Sequence, residues 1–189
     1  MDKRISRFLR KHHVLTLSTS SNEGSWTAHV FYAYMPDHNA LVFTTDPGTR
    51  HGREMLENPT VSGGIVLETK VVGKIRGVQL TGKTRRSERS EDPDLSGLGD
   101  EETERPRDQE TNEGSSVSRI TRHVLRITHH ASRIAYLKRF PYAIAAKLDL
   151  WVLEMEYVKM TDNRLGFGTK LEWRRETLRR ETREQKPKD

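Results

Sequence analysis

Apolar residues near the start of the chain recur at two spacings, and the switch between them marks the first element boundary. Within Lys3 to His13, Ile5, Phe8 and Leu9 stand at i, i+3 and i+4 among basic residues, the pattern of one helical face. From Val14 to Thr19 the period drops to two, with apolar and β-branched residues alternating as in a half-buried strand. Ser20 to Ser25 supplies Asn and Gly for a turn, and Trp26 to Met35 reads as a second strand. Pro36 to Asn39 turns the chain again, and Ala40 to Thr45 forms a third strand. Three strands joined by tight turns predict an antiparallel meander.

The next stretch, Thr44 to Pro59 (TTDPGTRHGREMLENP), holds a Pro-Gly turn and then a short helix. Thr49 is its expected N-cap, Met55 and Leu56 its apolar contacts, and Pro59 its stop. Val61 to Leu67 reads as a buried strand. Its Gly63–Gly64 pair implies a bulge, a bend, or close approach of a ligand or another backbone. Arg76 to Arg85 follows as a further strand. Beyond a break in composition, Val117, Ile120, Val124, Ile127, Ala131 and Ile134 recur at steps of three and four, predicting a helix to about Phe140, where Pro141 ends it. Pro141 to Lys147 starts another short helical segment, Trp151 to Thr161 alternates as the last strand, and Asp162 to Trp173 reads as a Gly-containing loop.

About six strands in hairpins leave no room for repeated helical crossovers, so the expected fold is mainly β with peripheral helices, a small antiparallel barrel. The break in composition is Ser87 to Ser116, where eleven acidic side chains meet three Arg and Leu95 and Leu98 are the large apolar residues. Such a segment cannot bury enough surface to offset its ordering entropy, which predicts a disordered acidic insertion. Residues 1–86 are then the first part of the barrel and 117–173 its completion, with 174–189 a charged, frayed tail. The overall 33% hydrophobic content fits a core confined to the two barrel parts.

Charge and composition narrow the chemistry. With no cysteine, disulfides, thiolate metal sites and Cys nucleophiles are excluded. No run approaches the ~20 apolar residues of a membrane span, and the basic N-terminus lacks the apolar core of a secretory signal, so a cytoplasmic protein is expected. The net charge of +6 admits a nucleic-acid partner, but the cations are spread over many segments, which weakens that reading. The GxSxG, HExxH and P-loop patterns are all missing. His123 and His130 lie two turns apart with no carboxylate at matching spacing, and no metal is expected. Glu154 and Glu156 share a strand face that reads as salt-bridged and wet. In Thr44 to Pro59, strand, hydroxyl-rich turn and basic helix start make a cradle for a phosphate from Thr44, Thr45, Thr49, Arg50 and His51. A Thr-capped surface helix with no ligand accounts for the same residues.

The order of segments resembles the FMN-binding split β-barrel superfamily, whose best-known members are the pyridoxamine 5'-phosphate oxidases. Its flavin region has a small-residue turn followed by Arg and Lys, a helix ending in Asn-Pro, and a strand. Here those are TTDPGTRH (Thr44 to His51) and ENPTV (Glu57 to Val61). IRGVQLTGK (Ile75 to Lys83), AYLKRFP (Ala135 to Pro141) and TDNRLGFGTKLEW (Thr161 to Trp173) are closer to its YhbP-like branch. The resemblance covers about residues 3 to 86 and 133 to 174. It implies an antiparallel split barrel and a homodimer with FMN at the subunit interface. By position, Thr44, Thr45, Thr49 and Arg50 would contact the FMN phosphate and ribityl chain. His29, Val30 and Phe31 would pass under the isoalloxazine ring, and Gln79 or Gly77 would approach it. Lys170 and Trp173 would close the pocket or reach it across the dimer. His51 stands where the oxidases carry Lys, so a fixed charge is missing there near neutral pH. The oxidases' substrate-phosphate residues are not recognisable at the chain's end, which argues against that activity. The resemblance therefore implies a flavin-dependent oxidoreductase of unspecified substrate, or a non-catalytic module holding flavin, haem or deazaflavin.

Overall fold

A computed structural model of the chain describes residues 1–87 and 127–176. In chain order the elements are α1 (Lys3–Lys11), β1 (Val14–Ser21), β2 (Gly24–Met35), β3 (Ala40–Thr44), α2 (Arg50–Glu57), β4 (Thr60–Val66), β5 (Arg76–Arg86), α3 (His129–Arg139), β6 (Leu150–Asp162) and β7 (Lys170–Arg174). All seven strands belong to one antiparallel sheet in the order β3-β2-β1-β4-β5-β6-β7, and a further β3–β6 pairing closes six of them into a barrel. The 13-residue β6 makes this possible. One of its edges pairs with β5; the other is shared, with Leu150–Glu154 on β3 and Tyr157–Thr161 on β7. The mainly antiparallel barrel expected from the sequence is the one found.

Strand parity separates two apolar clusters. Residues pointing inward, among them Leu15, Leu17, Phe43, Leu80, Trp151 and Val158, fill the barrel. Helix α1 joins them with Ile5, Phe8 and Leu9, all almost fully buried, so its apolar stripe is the one its spacing predicted. The second cluster lies on the outside, where α3 covers Ala33 and Met35 of β2, Ala40 and Val42 of β3, and Leu150 and Val152 of β6. Arg139 at the end of α3 donates to the carbonyls of Arg10, Lys11 and His12 at 2.9, 3.0 and 3.3 Å, capping α1 and fixing the two helices together. The outer face formed by β1, the first half of β2, β4, β5 and the second half of β6 stays uncovered by these helices.

Four local expectations change. The segment read as a loop from Asp162 to Trp173 ends in β7, because Leu171 and Trp173 alternate with charged neighbours and find an open edge on β6. Among the described residues, the helix expected from Val117 begins at His129: Thr128 is extended and caps it, its hydroxyl accepting from the Ala131 N–H at 3.1 Å. Its buried face is Ser132 and Tyr136, while Ile134 is exposed. Leu56, expected as an apolar contact of α2, faces solvent, and Met55 alone reaches the core. Residues 117–126, the acidic segment after Ser87 and the tail after Glu176 lie outside the described residues.

Gly82 sits where the β5–β6 register shifts, and a Cβ there would press into the Glu154 carbonyl. At Gly64 the same atom would meet nothing nearer than the Val78 carbonyl oxygen at 3.9 Å. Gly82→Ala is therefore expected to cost about 1–3 kcal/mol of unfolding free energy, and Gly64→Ala to stay within about 0.5 kcal/mol of wild type. Denaturant titration of the two variants checks both; equal losses would contradict the packing described.

Candidate functional site

The Thr44–His51 segment is built by backbone chemistry before it can bind anything. β3 ends at Thr44, whose hydroxyl donates to the Asp149 carbonyl at 3.1 Å; the Thr45 N–H does the same at 3.1 Å. Trp151 Nε1 donates to the Thr45 carbonyl at 3.0 Å, so the strand end is pinned to β6 from both sides. The chain then turns on Asp46, whose carboxylate accepts from the Gly48 N–H at 2.6 Å. Thr49 is the N-cap of α2, as expected: its hydroxyl accepts from the Gly52 N–H at 3.2 Å and donates to the Asp46 carbonyl at 2.7 Å. Gly52 is needed because a Cβ would collide with Pro47 and the Asp46 carbonyl, and only its absence lets the helix pack on its own turn.

These bonds divide the expected cradle in two. The Thr44 and Thr49 hydroxyls hold the turn together. Thr45, Arg50 and His51 present the remaining polar groups. The Arg50 Nε donates to Glu54 Oε1 at 2.9 Å, and the guanidinium lies 4.7 Å over the Trp26 ring. Its two terminal nitrogens have no hydrogen-bond partner among the described residues. Glu54 is buried and also accepts from the hydroxyls of Thr19 at 2.5 Å and Ser21 at 3.3 Å; those bonds, with Arg50, hold its carboxyl below the usual carboxylate range. His51 Nε2 lies 2.6 Å from the Thr45 hydroxyl and 3.3 Å from that of Thr49. Burial pushes the His51 imidazole below its ordinary value.

The uncovered outer face forms a second feature. Cross-strand pairing aligns His29, Thr16, Gly64, Gln79 and Lys159 in one row over β2, β1, β4, β5 and β6. The neighbouring row runs Thr27, Ser18, Ser62, Thr81 and Tyr157. Small side chains along both leave a groove of about 350 Å³. The adjoining glycines serve different needs. Gly63 points inward, where a Cβ would lie 2.7 Å from the Leu15 side chain; Gly64 opens the floor of the groove with no packing demand on it.

The expected site residues therefore fall in three places. Thr44, Thr45, Thr49, Arg50 and His51 form the clamp. His29 and Phe31 are exposed on the outer face, while Val30 points into the barrel. The Tyr32–Phe43 register brings Phe31 and Thr44 to adjoining positions, so this segment does border the clamp. Gln79 is one strand from β3 through the β6 closure, but Thr44 pairs with Leu150 and Gln79 with Lys159, about 30 Å further along β6 at the usual ~3.3 Å per residue, so one protomer does not bring it to the clamp. Lys170 is exposed on β7 opposite Thr161, and Trp173 is half-buried against the barrel core. Glu54 and Trp26 were not singled out from the sequence, although the i, i+4 spacing of Arg50 and Glu54 carried the signal for the first.

The sequence profile of the pyridoxamine 5'-phosphate oxidase family matches residues 1–133. A UPF0306 protein of Serratia proteamaculans is 38% identical over 173 residues, covering 92% of this chain and 94% of that one. A UPF0306 protein of Photorhabdus laumondii is 33% identical over 171 residues, covering 90% and 94%. Among solved structures, a haem-binding protein of Mycobacterium smegmatis superposes with a TM-score of 0.56 at 19% identity, covering 92% of this chain. The match spans 59% of that structure's length. This likeness confirms the barrel fold.

The half-buried His51 sets a direction for stability. Unfolded, its imidazole takes a proton near 6.5; folded, it does so only at lower pH, and His12, likewise pushed down by burial, adds to the effect. The unfolded state then binds more protons as pH falls through 6.5, so stability declines there and is fully present above it. His51→Gln is expected to flatten the decline in denaturation midpoint between about pH 7 and pH 5. Equal slopes in both proteins would show that His51 titrates as if exposed.

Proposed function

Because this chain belongs to the pyridoxamine 5'-phosphate oxidase family and matches the UPF0306 proteins over most of its length, we propose that it is an FMN-binding flavoprotein. It acts as a homodimer with the flavin between subunits, an oxidoreductase on a small molecule. The observation that carries this reading is the start of α2. There the helix dipole, the two unpartnered Arg50 nitrogens and the Thr45–His51 pair offer a phosphate monoester donors from one side. The fit is chemical: a guanidinium fork matches phosphate oxygens bidentately. Glu54 keeps that fork in place without occupying its outer nitrogens. FMN, when bound, supplies the hydride and electron chemistry; the chain supplies orientation and electrostatics.

The division of the expected site residues supports the dimer reading. Gln79, Lys170 and the outer-face groove lie away from the clamp of their own protomer, and a second copy packed on that face is the simplest way to bring them to one ligand. The small side chains and Gly64 permit close approach of another backbone. A pyridoxamine 5'-phosphate oxidase reaction is not proposed. A haem reading has one observation in its favour besides the M. smegmatis likeness: His29 Nδ1 lies 3.1 Å from the Thr16 hydroxyl, leaving Nε2 of an exposed imidazole available, as in many metal-ligating histidines.

The purified protein is expected to show flavin bands in the visible, or to acquire them on adding FMN, at one flavin per chain. Binding of FMN should exceed that of riboflavin, which lacks the phosphate. Arg50→Gln should weaken FMN by about tenfold or more while leaving riboflavin nearly unchanged, since a charge-assisted bond is worth about 1.5–3 kcal/mol. A protein that takes up neither flavin, or that shows a Soret band instead, sinks the FMN reading. Sedimentation of the flavin-loaded protein as a monomer would remove the shared site.

A further inference from the structure

Positive charge also gathers in a cavity that the flavin reading leaves unused. It encloses about 260 Å³ between α1 and the ends of β5 and β6, with Phe8 and Met160 as its apolar floor. Arg4, Arg7 and Lys11 of α1, Arg76 at the start of β5, and Arg164 just after β6 line it. Its acidic lining residue, Asp162, is fully buried and already committed. One oxygen accepts from Arg164 Nε at 3.0 Å and the Arg164 N–H at 3.1 Å, the other from Arg164 Nη2 at 2.8 Å. Arg4 is tied in the same way to Asp2, at 2.9 Å. Arg7, Lys11 and Arg76 have no carboxylate partner among the described residues.

Arg76 is the least satisfied of these. Its Nε is closed off from solvent without a hydrogen-bond partner among the described residues, and its guanidinium lies 5.9 Å over the Phe8 ring. A buried donor left open is costly, and native structures rarely tolerate one without a use for it. The neighbouring His12 has an orphaned Nε2 as well; burial first, then the charge of Arg76, pushes its imidazole down. The field at this end of the barrel is thus unbalanced in favour of an anion.

We propose that this cavity binds a small phosphate monoester, separately from the flavin clamp. Arg7, Lys11 and Arg76 would meet the phosphate oxygens, with the Arg76 fork as the bidentate partner, and Phe8 and Met160 would take a short apolar body. A volume of 260 Å³ falls just under the ~300 Å³ at which pockets begin to hold drug-sized ligands, which favours a compact ester over a nucleotide. The ester could be a soluble metabolite or the headgroup of a lipid monoester; the recognition chemistry is the same.

The test uses the full-length chain carrying Arg50→Gln, so that phosphate binding at the clamp does not contribute. Calorimetric titration with phenyl phosphate is expected to show one saturable site per chain, with inorganic phosphate weaker. Adding Arg7→Gln and Lys11→Gln, both on the exposed side of α1, should weaken it by about tenfold or more without changing the thermal midpoint, and Arg76→Gln should do the same. Cosedimentation with phosphatidic acid vesicles, lost in the same variants, would assign the lipid source; soluble binding alone would assign the metabolite. Binding that disappears with Arg50→Gln itself, survives the α1 substitutions, or is matched by chloride at equal ionic strength overturns the proposal. A protein that takes up neither flavin would sink the flavin reading and leave this result untouched.

Discussion

The pairing of β3 with the first half of β6 is the constraint on which the rest of the molecule depends. It closes the barrel, and it also fixes where the clamp begins. The last ladder positions put Thr44 opposite Leu150, and beyond them the Thr44 hydroxyl and Thr45 N–H both reach the Asp149 carbonyl. Trp151, fully buried, donates from its indole to the Thr45 carbonyl. The polar backbone at the strand end is therefore satisfied by β6, and the turn into α2 leaves the sheet at a set angle. Were that pairing to slip by one residue, every β3 side chain would exchange faces, and the inner and outer clusters would both lose their members.

A negatively charged residue inside the proposed anion clamp calls for explanation, and Glu54 supplies one through geometry. Arg50 unassisted would be a flexible side chain whose ordering cost falls on ligand binding. Held by Glu54 on one side and stacked on Trp26 on the other, it is already placed. Glu54 is in turn fixed by Thr19 and Ser21 of β1, so the barrel wall dictates the position of the guanidinium. The local charge is then close to neutral until an anion arrives. With the His51 imidazole pushed down as well, the proposed phosphate binding would rely on directed hydrogen bonds more than on net attraction.

What the sequence made legible follows from how local each signal is. The α1 stripe, the Thr49 cap and the strand alternation are set by residues within a few positions of each other, and all were found. β7 was missed because its five residues follow a Gly-rich turn, and strand status depended on a partner edge far away on β6. The α3 start was misplaced because periodicity of apolar residues says nothing of a cap, and Thr128 imposes one. Of the candidate site, the clamp residues were legible through Thr, Arg and turn chemistry. Which hydroxyls the fold already uses was not, since that depends on Asp149 and Asp46 carbonyls that no side-chain pattern reveals. The partners of Arg50 split the same way: Glu54 is four residues along the helix, but Trp26 is a strand away.

The two glycines of β4 show how one dipeptide can carry both stability and function. Alternation sends their missing side chains to opposite faces, so a single explanation cannot serve for the pair. Inside, Leu15 and the Thr16 carbonyl fill the space a Cβ would need at Gly63, and the residue is dictated by the core. Outside, none of the described residues fills the space at Gly64, so their packing gives no reason to prefer glycine over a β-branched residue, which strands favour. A row of Thr, Ser and Gln beside it leaves that face low and able to hydrogen-bond. Close approach of a flat ligand or a second backbone satisfies both properties at once. The barrel thus differs by face: the inner parity of β1, β4 and β5 fills the core, and their outer parity carries the small side chains that the proposed shared site needs.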